Sequence, residues 1–213
     1  MIDLTPETLL TTTRAVRRRL DLDRPVERST VEDCLRLAFQ APNGGNMQRW
    51  GWVLVDDPQL RVAVADIYRA GMDDEIAKNR ARYGQSPYPD TPAQRKVATS
   101  VGHLREHLHE VPVLVIPTVR GRLEDADIFT QASVWGSVLP GVWSFMLALR
   151  TRGMGSAWTT VHLHREHDMA ELLGIPFEKV TQAGLFPVAY TTGTDFRPAD
   201  RAKSEDTIQW NHW

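Results

Sequence analysis

Apolar positions along the chain fall into two spacings. Val31, Cys34, Leu35 and Ala38 recur every three or four residues, as do Val97, Val101, Leu104 and Leu108, and each set marks one face of a helix. Shorter unbroken apolar runs at 51–55, 112–119, 157–161 and 182–190 lie between Gly, Pro and Asp and read as buried strands. Local signals punctuate the helices. Thr5-Pro6, Asp57-Pro58 and Thr91-Pro92 each place a capping oxygen before a proline suited to the first turn, and Ser29 with Glu32 makes a capping box for a helix that ends at Pro42. The first helix should reach about Thr13, and the last should run from about Arg165 to Gly174. Residues 84–92, GQSPYPDTP, predict an exposed loop and a candidate lid. Strands separated by helices predict a single domain with a mixed sheet covered by helices on both faces.

One stretch departs from both spacings. The 22 residues from Ile128 to Leu149 carry no charge, long enough to span a bilayer, yet Gln131, Ser133, Gly136, Ser137 and Pro140 interrupt them. A helix buried in a core or between subunits, kinked at Pro140 and stopped at Gly153, accounts for both properties. Across 213 residues, 25 basic and 27 acidic side chains leave a net charge of −2, which provides no general field for nucleic acid or an acidic membrane. The single cysteine, Cys34, excludes an intrachain disulfide and any zinc site needing two thiolates. With no secretory signal at the N-terminus, it points to a reducing, cytoplasmic setting.

Four clusters could carry chemistry. Arg14, Arg17, Arg18 and Arg19 suit a phosphate if the first helix continues and places three of them on one face; as a solvated patch, Arg17 would pair with Asp21 and Arg19 with Asp23. The loop APNGGNMQRW (41–50) could aim the Asn43, Asn46 and Gln48 amides at the edge of a heterocycle, or merely connect helix to strand. Gly153-Met154-Gly155 begins like a dinucleotide fingerprint, but Trp158 stands where the third glycine belongs and the order is helix to strand, so a Rossmann site is rejected. His103 to His107 matches the inverted zinc-peptidase pattern on a helix otherwise rich in Arg and Glu, which favours a solvated face over a metal site. No serine-hydrolase elbow or phosphate-binding P-loop is present.

Taken in order, these segments resemble the nitroreductase family of FMN-dependent oxidoreductases. Thr13 to Arg17 resembles its basic Arg-Ser-x-Arg motif, and Ala41 to Trp50 resembles its Ala-Pro-Ser-x-x-Asn-x-Gln-Pro-Trp loop. Leu147 to Thr160, Leu173 to Pro176, Phe186 to Tyr190 and Arg197 to Arg201 resemble its later signatures. Ala15 and Asn43 replace serines of the pattern, and Arg49 replaces a proline.

The resemblance implies an α+β domain over 1–213 with a mixed sheet, assembled as an intertwined homodimer with exchanged C-terminal arms, FMN at the subunit interface, and the 128–149 segment in the dimer core. It implies that Arg14, Ala15, Val16, Arg17 and Arg201 hold the phosphate, that Pro42, Asn43, Asn46 and Gln48 address the ring edge, and that backbone groups of Trp158, Thr159 and Thr160 line the region near N5. The activity implied is hydride transfer from NADH or NADPH to the flavin and on to a small flat aromatic acceptor, with no side chain as obligatory acid. Tyr83 and Tyr88, in the variable 70–94 segment, could stack on or cap that acceptor, or be ordinary surface aromatics. A flavin-storing protein without turnover, reductive dehalogenation and flavin breakdown are alternatives on the same fold.

Overall fold

Thr5 opens the first helix, α1 (Pro6–Thr12), by accepting the Thr8 N–H on its side-chain oxygen. Asp57 caps α3 (Pro58–Tyr83) through two backbone N–H groups, and Thr91 caps α4 (Pro92–His107) through the Gln94 N–H. The caps fall at the expected residues because each needs only a side-chain oxygen two or three positions ahead of its donor. These elements belong to a computed structural model that describes residues 2–201 and 207–213. The remaining elements are α2 (Arg28–Ala38), β1 (Trp50–Val55), β2 (Val113–Arg120), α5 (Ile128–Thr151), β3 (Met154–Gly155), α6 (Glu166–Leu173), β4 (Val180–Gln182) and β5 (Phe186–Tyr190).

The strands are ordered β1-β2-β5-β3, with β4 also on β2, and every ladder is antiparallel. Parallel pairing occurs as single bridges, Ala15 with Ser156 and Gly121 with Val180. β2 explains the layers. Its successive side chains point to opposite faces, so Leu114 and Ile116 join Tyr68, Leu104 and Met169 of α3, α4 and α6, while Val113 and Val115 join Val31, Val142 and Phe145 of α2 and α5. Helices therefore cover both faces of the sheet.

Several boundaries move. α2 starts at Arg28 after Glu27, which makes no side-chain cap, so Ser29 lies inside the first turn; the helix ends at Ala38, well before Pro42. α5 runs through Pro140 without a break and is buried on one face only: Val138, Val142 and Phe145 enter the core, whereas Ile128, Phe129 and Trp143 are exposed. The run 182–190 divides into β4 and β5, and 157–161 forms no strand beyond a single bridge between Thr159 and Leu185. Trp158 supplies the reason. Its indole N–H donates to the Ala183 carbonyl at 3.0 Å, and a Cβ on Gly184 would lie 2.4 Å from that nitrogen, so the indole occupies space a regular ladder would need.

Candidate functional site

α1 stops at Thr12 and Thr13 is extended, so the arginines after it do not continue a helix. The segment instead pairs with the end of β3: Val16 N–H donates to the Ser156 carbonyl at 2.8 Å beside the Ala15–Ser156 bridge. Only glycine permits this approach at 155, where a Cβ would meet the Val16 Cβ at 2.8 Å. The tail then folds back over the arginines. Arg19 donates to the Thr192 carbonyl and to Asp195, at 2.9 and 2.6 Å, and Arg14 donates to the Arg197 carbonyl at 3.0 Å. Arg19 is thus tied to the tail, and the expected pairs with Asp21 and Asp23 do not form.

The result is a pocket of about 360 Å³ lined by Arg14, Ala15, Arg17, Arg18, Ser100 and Arg197 among others. Its charge is concentrated in guanidinium groups, because the carboxylate on its wall, Asp195, is engaged by Arg19. The Arg17 Nε is buried without a hydrogen-bond partner, and burial pushes that guanidinium below its ordinary range, with Tyr68 acting weakly the other way. Several guanidinium groups around one pocket, Arg17 with a buried donor left idle at its edge, fit a dianionic phosphate. Arg201 is exposed and does not line the pocket; Arg197 is the tail arginine brought there.

The 43–48 loop lies elsewhere. Asn46 and Gln48 hold left-handed backbone angles, φ 53° and 46°, which cost side-chain-bearing residues energy unless the surroundings fix them. Here Asn43 Oδ1 accepts the Gln48 N–H at 2.9 Å, Gln48 Nε2 donates to Asn46 Oδ1 at 3.1 Å, and Gly44 N–H donates to Ser137 Oγ of α5 at 2.9 Å. Pro42 is exposed at the start of the loop. A cavity of about 240 Å³ beside it is lined by Asn43, Gln48, Trp50, Phe129 and Ser137. Thr159 is buried and bonded to the Leu185 carbonyl at 2.8 Å, while Thr160 is exposed and Trp158 is half-exposed against Phe186.

The two regions lie toward opposite ends of α5. Ser137 anchors the loop and Arg150 lies beneath the arginine segment, thirteen residues apart, about 20 Å at the helical rise. The histidine pattern is engaged locally: the His103 and His107 rings meet tilted at 4.5 Å, and His107 Nδ1 bonds Glu110, three residues beyond the pattern, at 2.8 Å.

A model of the nitroreductase family matches residues 10–190. The chain belongs to the nitroreductase family. Iodotyrosine deiodinase of Drosophila melanogaster is 26% identical over 169 residues, 76% of this chain and 54% of that protein, so the chain spans about half the length of the curated relative it matches. Among solved structures, a BluB-like flavoprotein from Clostridium difficile 630 superposes with a TM-score of 0.73 at 14% identity, covering 99% of this chain and 100% of the other. The FMN and NADPH-dependent nitroreductase NfnB of Sphigopyxis sp. strain HMH gives 0.71 at 19%, covering 99% and 100%. Oxidised iodotyrosine deiodinase bound to FMN and 3-iodo-L-tyrosine gives 0.68 at 19%, covering 96% and 98%. These likenesses establish the nitroreductase fold for this chain.

Within that fold, sequence reasoning missed Ser100, Arg150 and Arg197 as neighbours of the arginine segment. Ser100 stands on α4 with no motif around it, and only the folded chain shows it lining the same pocket as Ala15.

Proposed function

We propose that this nitroreductase-family protein is an FMN-dependent oxidoreductase that accepts a hydride from NADH or NADPH and passes electrons to a flat acceptor such as a nitroaromatic or a quinone. The observation that carries the reading is the arginine pocket with its unpartnered, buried Arg17 Nε, formed where the family's phosphate motif falls. Arg14, Arg17 and Arg18 would hold the phosphate, with Ala15 beside them on the pocket wall and Val16 fixing the segment through its N–H to the Ser156 carbonyl. The Asn43–Gln48 loop, locked by its own amides, would present its remaining amide groups to the ring edge, and the Trp158 to Thr160 segment would pass close to the ring. Bound flavin supplies the hydride and electron transfer; the protein binds, orients and shields it.

The reading includes a homodimer. Within one chain, Ser137 beside the 43–48 loop and Arg150 beneath the arginine segment are about 20 Å apart along α5, which supports a second copy bringing its loop to each pocket. The outward face of α5, with Ile128, Phe129 and Trp143 exposed, and Trp210 and Trp213 of the tail are apolar surfaces suited to that contact. The buried Cys34 thiol, pushed up to about 11 chiefly by burial, suits a reducing cytoplasmic setting in which it stays protonated.

The Drosophila relative favours a second reading, reductive dehalogenation of a halogenated phenol at the same site. One experiment separates these. Purified protein is loaded with FMN, and NADH and NADPH oxidation is followed with a nitroaromatic, a quinone and a halotyrosine. Turnover with the first two supports the main reading, and halide release from the third supports dehalogenation. FMN bound without turnover on any acceptor supports storage; absence of flavin binding refutes all three.

A further inference from the structure

Beneath the arginine pocket lies a second, very small cavity of about 10 Å³, lined by Thr12, Arg14, Arg150, Ser156 and Phe196 among others. Arg150 is 5% exposed and Ser156 3%. Arg150 Nη2 donates to the Thr194 carbonyl at 2.9 Å, with Thr12 Oγ1 at 3.5 Å, but its Nε and Nη1 have no partner, and neither does Ser156 Oγ. Three unsatisfied polar atoms thus belong to two residues on the wall of one cavity. Among the described residues no carboxylate pairs with Arg150; the charge acting on it is another cation, Arg19, and the Arg19 and Arg150 guanidinium groups both lie over the Phe196 ring, 4.4 and 4.8 Å from its centroid. A buried cation with idle donors and no counter-ion is costly, and it is the arrangement expected where a bound anion completes the site. The cavity has room for about one water-sized atom and shares Arg14, Val16 and Phe196 with the larger pocket.

We propose that Arg150 and Ser156 form the buried floor of the anion site and bind an oxygen of the cofactor's phosphomonoester from beneath, opposite the exposed arginines. The inference rests on the FMN reading above and adds two ligands to it. Burial, and secondarily Arg19, push the Arg150 guanidinium below its ordinary range, and an entering phosphate dianion relieves both effects.

The test compares FMN with riboflavin, which has the same ring and no phosphate. Apo-protein is titrated with each for the wild type, Arg150→Met, Arg150→Lys and Ser156→Ala, alongside thermal unfolding of the apo forms. Wild type should prefer FMN. Arg150→Met should lose about ten- to a hundredfold in FMN affinity while riboflavin binding is unchanged, with no fall in apo unfolding temperature because a buried uncompensated charge is removed. Arg150→Lys should recover part of the loss. An Arg150→Met variant that keeps the wild-type preference for FMN overturns the proposal, as does an Arg150-dependent stabilisation by chloride with that preference unchanged. Should Arg150→Met fail to fold, Ser156→Ala decides: a reduced FMN-to-riboflavin ratio supports the floor and an unchanged ratio refutes it. Wild type that binds neither flavin, or both equally, instead refutes the phosphate site itself.

Discussion

Arg17 and Arg36 have the same side chain in opposite surroundings. Arg36 sits on the exposed face of α2 between Asp33 and Glu32, and Arg17 faces the arginine pocket with a buried Nε and no partner. Arg17→Ala should therefore weaken FMN binding by about ten- to a hundredfold and Arg36→Ala should leave it unchanged, as measured by titration of the apo forms. A second residue reports through acidity. His162 is fully buried with both ring nitrogens unpartnered, and burial lowers its pKa to about 4, Gln182 pulling weakly the other way. The unfolded chain takes up this proton near the ordinary imidazole value and the folded one does not, so the contribution to stability is complete above that value and lost as pH falls toward the folded pKa. Denaturant midpoints should show a loss of about 2 kcal/mol from pH 7 to pH 5, and His162→Leu should flatten that slope. The arginine run was readable in the sequence because its residues are adjacent. Arg150 was not, since it looks like an ordinary helix-end arginine until Phe196, from the far end of the chain, is laid against it.

At the scale of elements, α5 presents two faces that respond differently to charge. Val142 is 1% exposed inside the core, so Val142→Glu should unfold the chain, lowering stability by about 3 kcal/mol or more in chemical denaturation. Trp143, one residue on, is 41% exposed; Trp143→Glu should leave the fold intact and shift the proposed dimer toward monomer in sedimentation. Helix starts at Thr5, Asp57 and Thr91 were legible because a cap is written within four residues. The division of 182–190 into two strands was not, because its cause is the Trp158 indole, delivered from 25 residues upstream onto the Ala183 carbonyl.

For the whole molecule, the proposed reaction has donor and acceptor use one flavin face in turn, so initial-rate plots at several fixed acceptor concentrations should give parallel double-reciprocal lines; intersecting lines would show both bound together. The family's motifs appear in order along the chain, which made the fold readable, whereas their meeting in space depends on chain returns that no local pattern encodes. One such return sets a clock on the protein's birth. The arginine pocket is closed by Arg14 to Arg19 on one side and Asp195 to Arg197 on the other, segments separated by nearly the full length of the chain. At about 5 to 20 residues per second, a ribosome that has made Arg14 needs roughly ten to forty seconds more to reach Arg197. For all that time the cationic segment lacks its tail, and the nascent chain cannot complete the pocket. Loading of an anion there waits until the tail has been made and folded back.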